Sequence, residues 1–230
     1  MNRSAITYLV ILAFTLTFFG CNPLDVETPR DVQIDPTDNG INPKRSISVA
    51  FAIDASSSMV PDNDLMRTKS GAYAMIDLFD GKKDEAAVVW FSQEIGVELE
   101  LTTDIYQIQS AIDRIPGTGN ANRIWDGAYE AIEQVRGGAG YVKAIVLVTD
   151  GEEGKPTWST RSLDYLISFA NLHRVYVYSI ALGDYSDGEA LERLSNQTDG
   201  AYYKVSDPAA SDSLVYVFRD IMTDHLRIVQ

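Results

Sequence analysis

From Ser46 onward the apolar positions fall into two alternating rhythms. Ser46–Ile53 (SISVAFAI) is a continuous β-branched and apolar run, and Ala72, Met75, Ile76 and Phe79 then follow the spacing of one helix face. Ala86–Phe91 (AAVVWF) and Gly96–Leu101 (GVELEL) are close enough to pair as a hairpin, the second alternating Val97, Leu99 and Leu101 with polar neighbours. Ile105, Ile108, Ile112 and Ile115 mark a short helix, and Ile124, Ala128, Ala131, Ile132 and Val135 another. Ala144–Val148 (AIVLV) reads as a fully buried strand, Leu163, Leu166, Ile167 and Ala170 as a helix, and Val175–Leu182 (VYVYSIAL) as a further strand. A helix around Leu191 and Leu194, a short strand Ala201–Val205 and a helix carrying Leu214, Val217, Phe218 and Ile221 complete the pattern. Strands apolar on both faces, separated by amphipathic helices, predict a mostly parallel sheet covered on both sides. The expected fold is a doubly wound α/β domain over residues 45–227, six-stranded, with one antiparallel edge strand supplied by the hairpin.

The chain before this domain has a different character. Arg3 precedes an uncharged, mostly apolar run from Ala5 to Phe19, which ends in Gly20 and Cys21. A bilayer-spanning helix needs about 20 apolar residues, so this shorter run reads as a secretory signal peptide over residues 1–20. Cys21 is the single cysteine, which excludes an intramolecular disulfide. The segment Leu16-Thr17-Phe18-Phe19-Gly20-Cys21 resembles a lipobox, in which the cysteine is diacylated and becomes the new N-terminus. An ordinary cleaved signal, or an uncleaved anchor with an incidental thiol, is the alternative. Between Cys21 and Lys44, prolines at 23, 29, 36 and 43 and scattered acidic residues leave no strand or helix period. Residues 21–44 therefore read as a lipidated cysteine followed by a flexible tether.

The formal charge is −14, and loss of residues 1–20 removes one further positive charge, Arg3. This balance argues against nucleic acid, which requires clustered cations, and against electrostatic docking on anionic lipid. Membrane attachment would have to come from acyl chains on Cys21.

Open α/β sheets bind ligands at the carboxyl ends of their strands, and two aspartates lie there. The first strand runs into Asp54-Ala55-Ser56-Ser57-Ser58 and the fourth into Thr149-Asp150-Gly151. One such aspartate is ordinarily a turn former or helix cap, but that role does not account for two of them beside a hydroxyl cluster. Asp54, Ser56 and Ser58 would alternate along an extended loop and face one point. Carboxylate and hydroxyl oxygens are hard donors suited to magnesium or manganese.

Asp54-x-Ser56-x-Ser58 resembles the first part of the metal-ion-dependent adhesion site of von Willebrand factor A domains, and Asp150 in VLVTDG resembles its last part. VYVYSIALG followed by LERLSNQTDGAYYKVSD is similar to the end of that domain in bacterial secreted proteins, so the likeness covers about Arg45 to His225. The resemblance implies strand order 3-2-1-4-5-6, with Asp54 and Asp150 on neighbouring strands. It also implies a site in which hydroxyls contact the metal directly, aspartates hold it largely through water, and the cation takes a carboxylate from a protein partner. Where the family has threonine before a helix reading Thr-x-Leu-Tyr-Asp-Ala, this chain has Asn122-Arg123-Ile124-Trp125-Asp126-Gly127. Asn122 is either a substitute oxygen donor or a cap for the helix beginning at Arg123. Thr118 is a second source of a hydroxyl in the same loop. Glu152 and Glu153 would repel an acidic partner if they faced the site, and are otherwise solvated loop charges.

The expected function is thus a lipid-anchored, monomeric cell-envelope protein that binds a protein partner through magnesium or manganese held by Asp54, Ser56, Ser58, Asn122 and Asp150, with no small-molecule substrate. A structural envelope component without a working metal site is one alternative. A phosphoryl-transfer enzyme is another, with Asp54 or a serine as nucleophile. Against an enzyme, no second acid follows Asp54 at Asp-x-Asp spacing, and no nucleophile elbow, Walker loop or zinc-ligand cluster is present. The two histidines, His173 and His225, fall near predicted helix ends.

Overall fold

The computed structural model describes residues 45–151, 158–183, 188–208 and 212–227. The signal segment, Cys21, the tether, Glu152 and Glu153 lie outside the described residues. Six strands form one sheet: β1 (Ile47–Asp54), β2 (Glu85–Phe91), β3 (Ile95–Thr102), β4 (Val142–Thr149), β5 (Val175–Leu182) and β6 (Tyr202–Val205). Their spatial order is β3-β2-β1-β4-β5-β6, with every neighbouring pair parallel except β2 and β3. The hairpin, the antiparallel edge strand and the strand order all agree with the reading of the sequence.

The strands are flanked by α1 (Asp64–Ile76), α2 (Ile105–Arg114), α3 (Ile124–Val135), α4 (Leu163–His173), α5 (Gly188–Asn196) and α6 (Ser213–Asp220). Every residue of β1 is buried, because helices cover both of its faces. Ile47, Val49, Phe51 and Ile53 point into one layer with Met75, Ile112 and Phe218, whereas Ala50 and Ala52 point into the other with Ala128, Ile132 and Leu166. The period-2 alternation thus sorts large side chains to one side and small ones to the side on which α3 packs. Strand β3, at the sheet edge, is only half-buried, and Val97 is exposed.

Two boundaries differ from the apolar pattern. Helix α1 ends at Ile76, and Phe79 belongs to the turn beyond, where its amide donates to the Ile76 carbonyl at 2.9 Å. At the other end α6 passes into a π turn, Ile221–Leu226, which keeps Ile221, Met222 and Leu226 buried. Arg227 then pairs with Asp84 and donates to the Leu78 carbonyl at 2.9 Å.

Because β1 and β4 are parallel and Ile53 lies level with Val148, Asp54 stands beside Thr149 and Asp150 lies just past the strand end. This register positions the candidate site.

Candidate metal centre

Asp54 is fully buried at the end of β1, and both its oxygens are engaged. Its Oδ1 accepts from the Ser56 amide at 2.8 Å, and its Oδ2 accepts from the Thr149 hydroxyl at 2.6 Å. The carboxylate therefore ties the loop after β1 to the end of β4. Ser56 is extended, but the chain then enters a single 3-10 turn, Ser57–Met59, rather than continuing as the expected extended loop. The fully buried Met59 draws the backbone inward, and its amide donates to the Ser56 carbonyl at 3.2 Å. The turn still brings the hydroxyls of Ser56 and Ser58 together, 2.9 Å apart. Ser58 in turn donates to Asp150 Oδ1 at 3.0 Å.

Burial raises the Asp54 carboxyl from its ordinary 3.8 to about 6, against the lowering effect of hydrogen bonds from Ser56 and Thr149; the nearby Asp150 charge adds to the rise. Burial likewise raises Asp150, partly countered by the Ser58 hydrogen bond and reinforced by the charges of Asp64 and Asp62. Both carboxyls thus hold a proton more readily than free carboxyls do, an effect that a bound cation would oppose.

The third contribution comes from the loop between α2 and α3. Buried Lys69 anchors its start by donating to the carbonyls of Asp113 and Ile115 at 2.9 and 3.0 Å. The loop is then laced to the first segment, Thr118 amide to Ala55 carbonyl at 2.8 Å and Ser57 amide to Gly119 carbonyl at 2.9 Å, and Ser57 Oγ donates to Asn120 Oδ1 at 3.2 Å. Gly119 adopts φ of +106°, and a side chain there would meet Ser92 Oγ at 2.6 Å, so only glycine fits. Thr118 is exposed, and its hydroxyl is not part of the cleft formed below.

Asn122 does reach the cleft. Its amide group lies against Gly151, directly where a Cβ on that residue would stand. It does not cap α3. Arg123 occupies the N-cap position without a side-chain cap bond, and the Ser159 hydroxyl accepts instead from the Trp125 and Asp126 amides at 3.1 and 3.3 Å. The helix is therefore capped from a distant segment, which leaves Asn122 free of that duty.

Asp126, almost fully buried, consolidates the same junction. It accepts from the Thr160 amide at 2.8 Å, the Thr160 hydroxyl at 3.0 Å, and Arg161 Nη1 at 3.1 Å, and it pairs with Arg123 at 2.6 Å. Burial pushes its carboxyl up, but these hydrogen bonds outweigh burial and hold it below the ordinary carboxylate range. Thr149, Asp126, Ser159 and Trp158 were not singled out by the sequence. Thr149 could have been, since it directly precedes Asp150 at a strand end, whereas the other three gain meaning only from long-range contacts.

Ser56, Ser57, Ser58, Gly119, Asn120, Ala121, Asn122 and Trp158 line a cleft of about 260 Å³. On the far side of Asp150 a wider cleft of about 570 Å³ is bounded by Asp62, Asp64, Arg67 and Asp207 among others. Among the described residues no three His, Cys, Asp or Glu side chains converge in the manner of a dense metal cluster. Neutral hydroxyls and one adjoining carboxylate make up the donor set. An octahedral oxygen shell with bonds of about 2.1 Å has edges of roughly 3 Å, and the Ser56–Ser58 and Ser58–Asp150 separations of 2.9 and 3.0 Å equal such edges. The residues present therefore fit a small, hard divalent cation.

Residues 48–217 match the von Willebrand factor type A domain. The chain belongs to that family. Solved structures of the same fold include a von Willebrand factor type A protein from Catenulispora acidiphila, 21% identical over 78% of this chain and 42% of that one, with a TM-score of 0.66. Proximal thread matrix protein 1 from the mussel byssus, described with a zinc-occupied MIDAS motif, is 23% identical over 80% of this chain and 46% of its own length, with a TM-score of 0.64. The von Willebrand factor domain of the type V pili tip protein Mfa5 from Porphyromonas gingivalis is 10% identical over 81% of this chain and 98% of that one, with a TM-score of 0.61. This chain spans less than half the length of the mussel and Catenulispora chains. No curated protein sequence matches it. Von Willebrand factor A domains are in general interaction modules, and among the described residues no helix of this one is long and apolar enough to cross a membrane.

Proposed function

We propose that this von Willebrand factor A domain binds a protein partner through a magnesium or manganese ion held by Ser56, Ser58, Asn122 and Asp150, with Asp54 behind them. The observation that carries the reading is the run of oxygens Ser56 Oγ, Ser58 Oγ and Asp150 Oδ1, spaced 2.9 and 3.0 Å apart at the carboxyl ends of the two central strands. When bound, a divalent cation supplies a positive, hard contact for a partner's Asp or Glu side chain. The chain's own residues do the rest. Asp54, through Ser56 and Thr149, fixes the loop and strand end that carry the donors. The hydroxyls are neutral, so they leave a bound cation's charge largely available to a partner. Asn122, whose Nδ2 lies against Gly151, carries an amide oxygen that would serve as a further neutral donor. Oxygen donors without cysteine or histidine favour magnesium or manganese. The zinc described in the mussel protein supports a divalent ion at this position.

The domain works as a monomeric binding module and not as an enzyme in this reading, carried on a cell envelope by acyl chains at Cys21 and a tether. The test is thermal unfolding in rising magnesium or manganese, with a pull-down from envelope extract. The melting temperature of the wild-type protein should climb once free metal exceeds its dissociation constant, and Asp54→Ala should lose that rise. A partner should elute in chelator. No heat of binding at millimolar magnesium and manganese, with no chelator-sensitive partner, would overturn the proposal.

A further inference from the structure

We infer that Trp158 is a specificity-determining contact of this same cleft, selecting partners that carry a bulky apolar side chain next to the carboxylate. The inference rests on the carboxylate-binding reading proposed above. Trp158 shares the cleft with Ser56, Ser58 and Asn122, yet 56% of it remains open to solvent, whereas Trp125 close by is 5% exposed. A large aromatic surface left in water beside a binding cleft is the kind of group that interfaces bury at their energetic centre.

The backbone directly after Trp158 is held firmly. Ser159 takes the first amides of α3 on its hydroxyl, and Thr160 and Arg161 both donate to buried Asp126. Arg161 also lays its guanidinium 3.6 Å from the centroid of the Tyr129 ring. Because the backbone directly after Trp158 is already anchored, a partner that covers the indole has less chain to order. The rest of the cleft lining is small or polar, namely Ser56, Ser57, Ser58, Gly119, Asn120, Ala121 and Asn122. A side chain entering beside a docked carboxylate therefore finds the indole as the one large apolar surface of the cleft lining among the described residues. An aliphatic or aromatic group gains most from covering that surface.

The experiment compares two immobilised peptides, acetyl-Gly-Asp-Gly-amide and acetyl-Leu-Asp-Leu-amide, against the purified protein in millimolar manganese. The leucine-flanked peptide should bind roughly tenfold more tightly, and the preference should persist at about 0.5 M salt, where charge effects are screened. In Trp158→Ala the ratio of the two dissociation constants should fall toward one. Equal binding of both peptides by the wild type, or a preference that survives in Trp158→Ala, overturns the role of Trp158 alone. Failure of both peptides to bind the wild type in manganese overturns the carboxylate reading itself, and this inference with it.

Discussion

Ser58 donates its hydroxyl hydrogen to Asp150 at 3.0 Å, although 92 residues separate the two in the chain. The bond is exposed, so it stabilises the fold little, and its importance lies in setting two oxygens side by side. Ser58→Ala should change the metal-free stability by no more than about 0.5 kcal/mol. The same substitution should remove most of the rise in melting temperature that manganese gives the wild type. Differential scanning calorimetry with and without the ion checks both halves. An undiminished shift in Ser58→Ala would exclude this hydroxyl as a ligand.

The buried carboxylate of Asp54 predicts a pH dependence. Burial raises it from 3.8 to about 6, so between those values the folded domain retains a proton that the unfolded chain has released. Its contribution is fully present below pH 3.8 and is lost as pH rises through 6. Relative to Asp54→Asn, the metal-free protein should lose about 3 kcal/mol of stability from this group between pH 4 and pH 7. Urea unfolding at each pH measures the difference. Saturating manganese should flatten the decline, because a cation in the cleft favours the ionised form.

Asp126 gathers Arg123, Thr160 and Arg161 onto one buried carboxylate. Asp126→Ala leaves two guanidinium groups, two backbone amides and the Thr160 hydroxyl without this acceptor and should cost about 3 kcal/mol. Ser159→Ala removes only the α3 cap and should cost about 1 kcal/mol. Equal losses in denaturant midpoint for the two variants would show that the carboxylate is not the hub of this junction.

Processing tests the proposed anchor. Cys21→Ser should accumulate as an unprocessed precursor and lose acyl labelling, both readable on a gel. Normal maturation of the variant would rule out lipidation at this residue.

Much of the fold was legible from the chain because its strands and helices follow unambiguous periods. SISVAFAI is too apolar for an exposed strand, and the short spacing between AAVVWF and GVELEL demanded a hairpin. Helix limits were less legible: Phe79 continues the helical spacing of α1, yet its amide closes a turn after the helix has ended. At the site, Asp54, Ser56, Ser58 and Asp150 stood out because acidic and hydroxyl residues interrupt apolar strands at matching ends. The choice between ligand and cap for Asn122 was not decidable locally, since the group that takes the cap is Ser159, more than thirty positions downstream. Asp126 falls on the aspartate of the family's Thr-x-Leu-Tyr-Asp-Ala pattern, but that pattern does not say what the carboxylate holds. On the helix pattern it is one acid in a first turn, and only the packing of Thr160 and Arg161 against it reveals its role.

Strand β1 lies between β2, its nearest strand in sequence, and β4, which is synthesised some ninety residues later. Every oxygen proposed for the cleft except Asp150 comes from the earlier part of the chain, and the set is incomplete until β4 docks and presents Asp150 to Ser58. A nascent chain that stops short of Asp150 cannot assemble the site. The proposed cleft is thus complete only once translation has passed the middle of the sheet, so its assembly is a late event although most of its donors are made early.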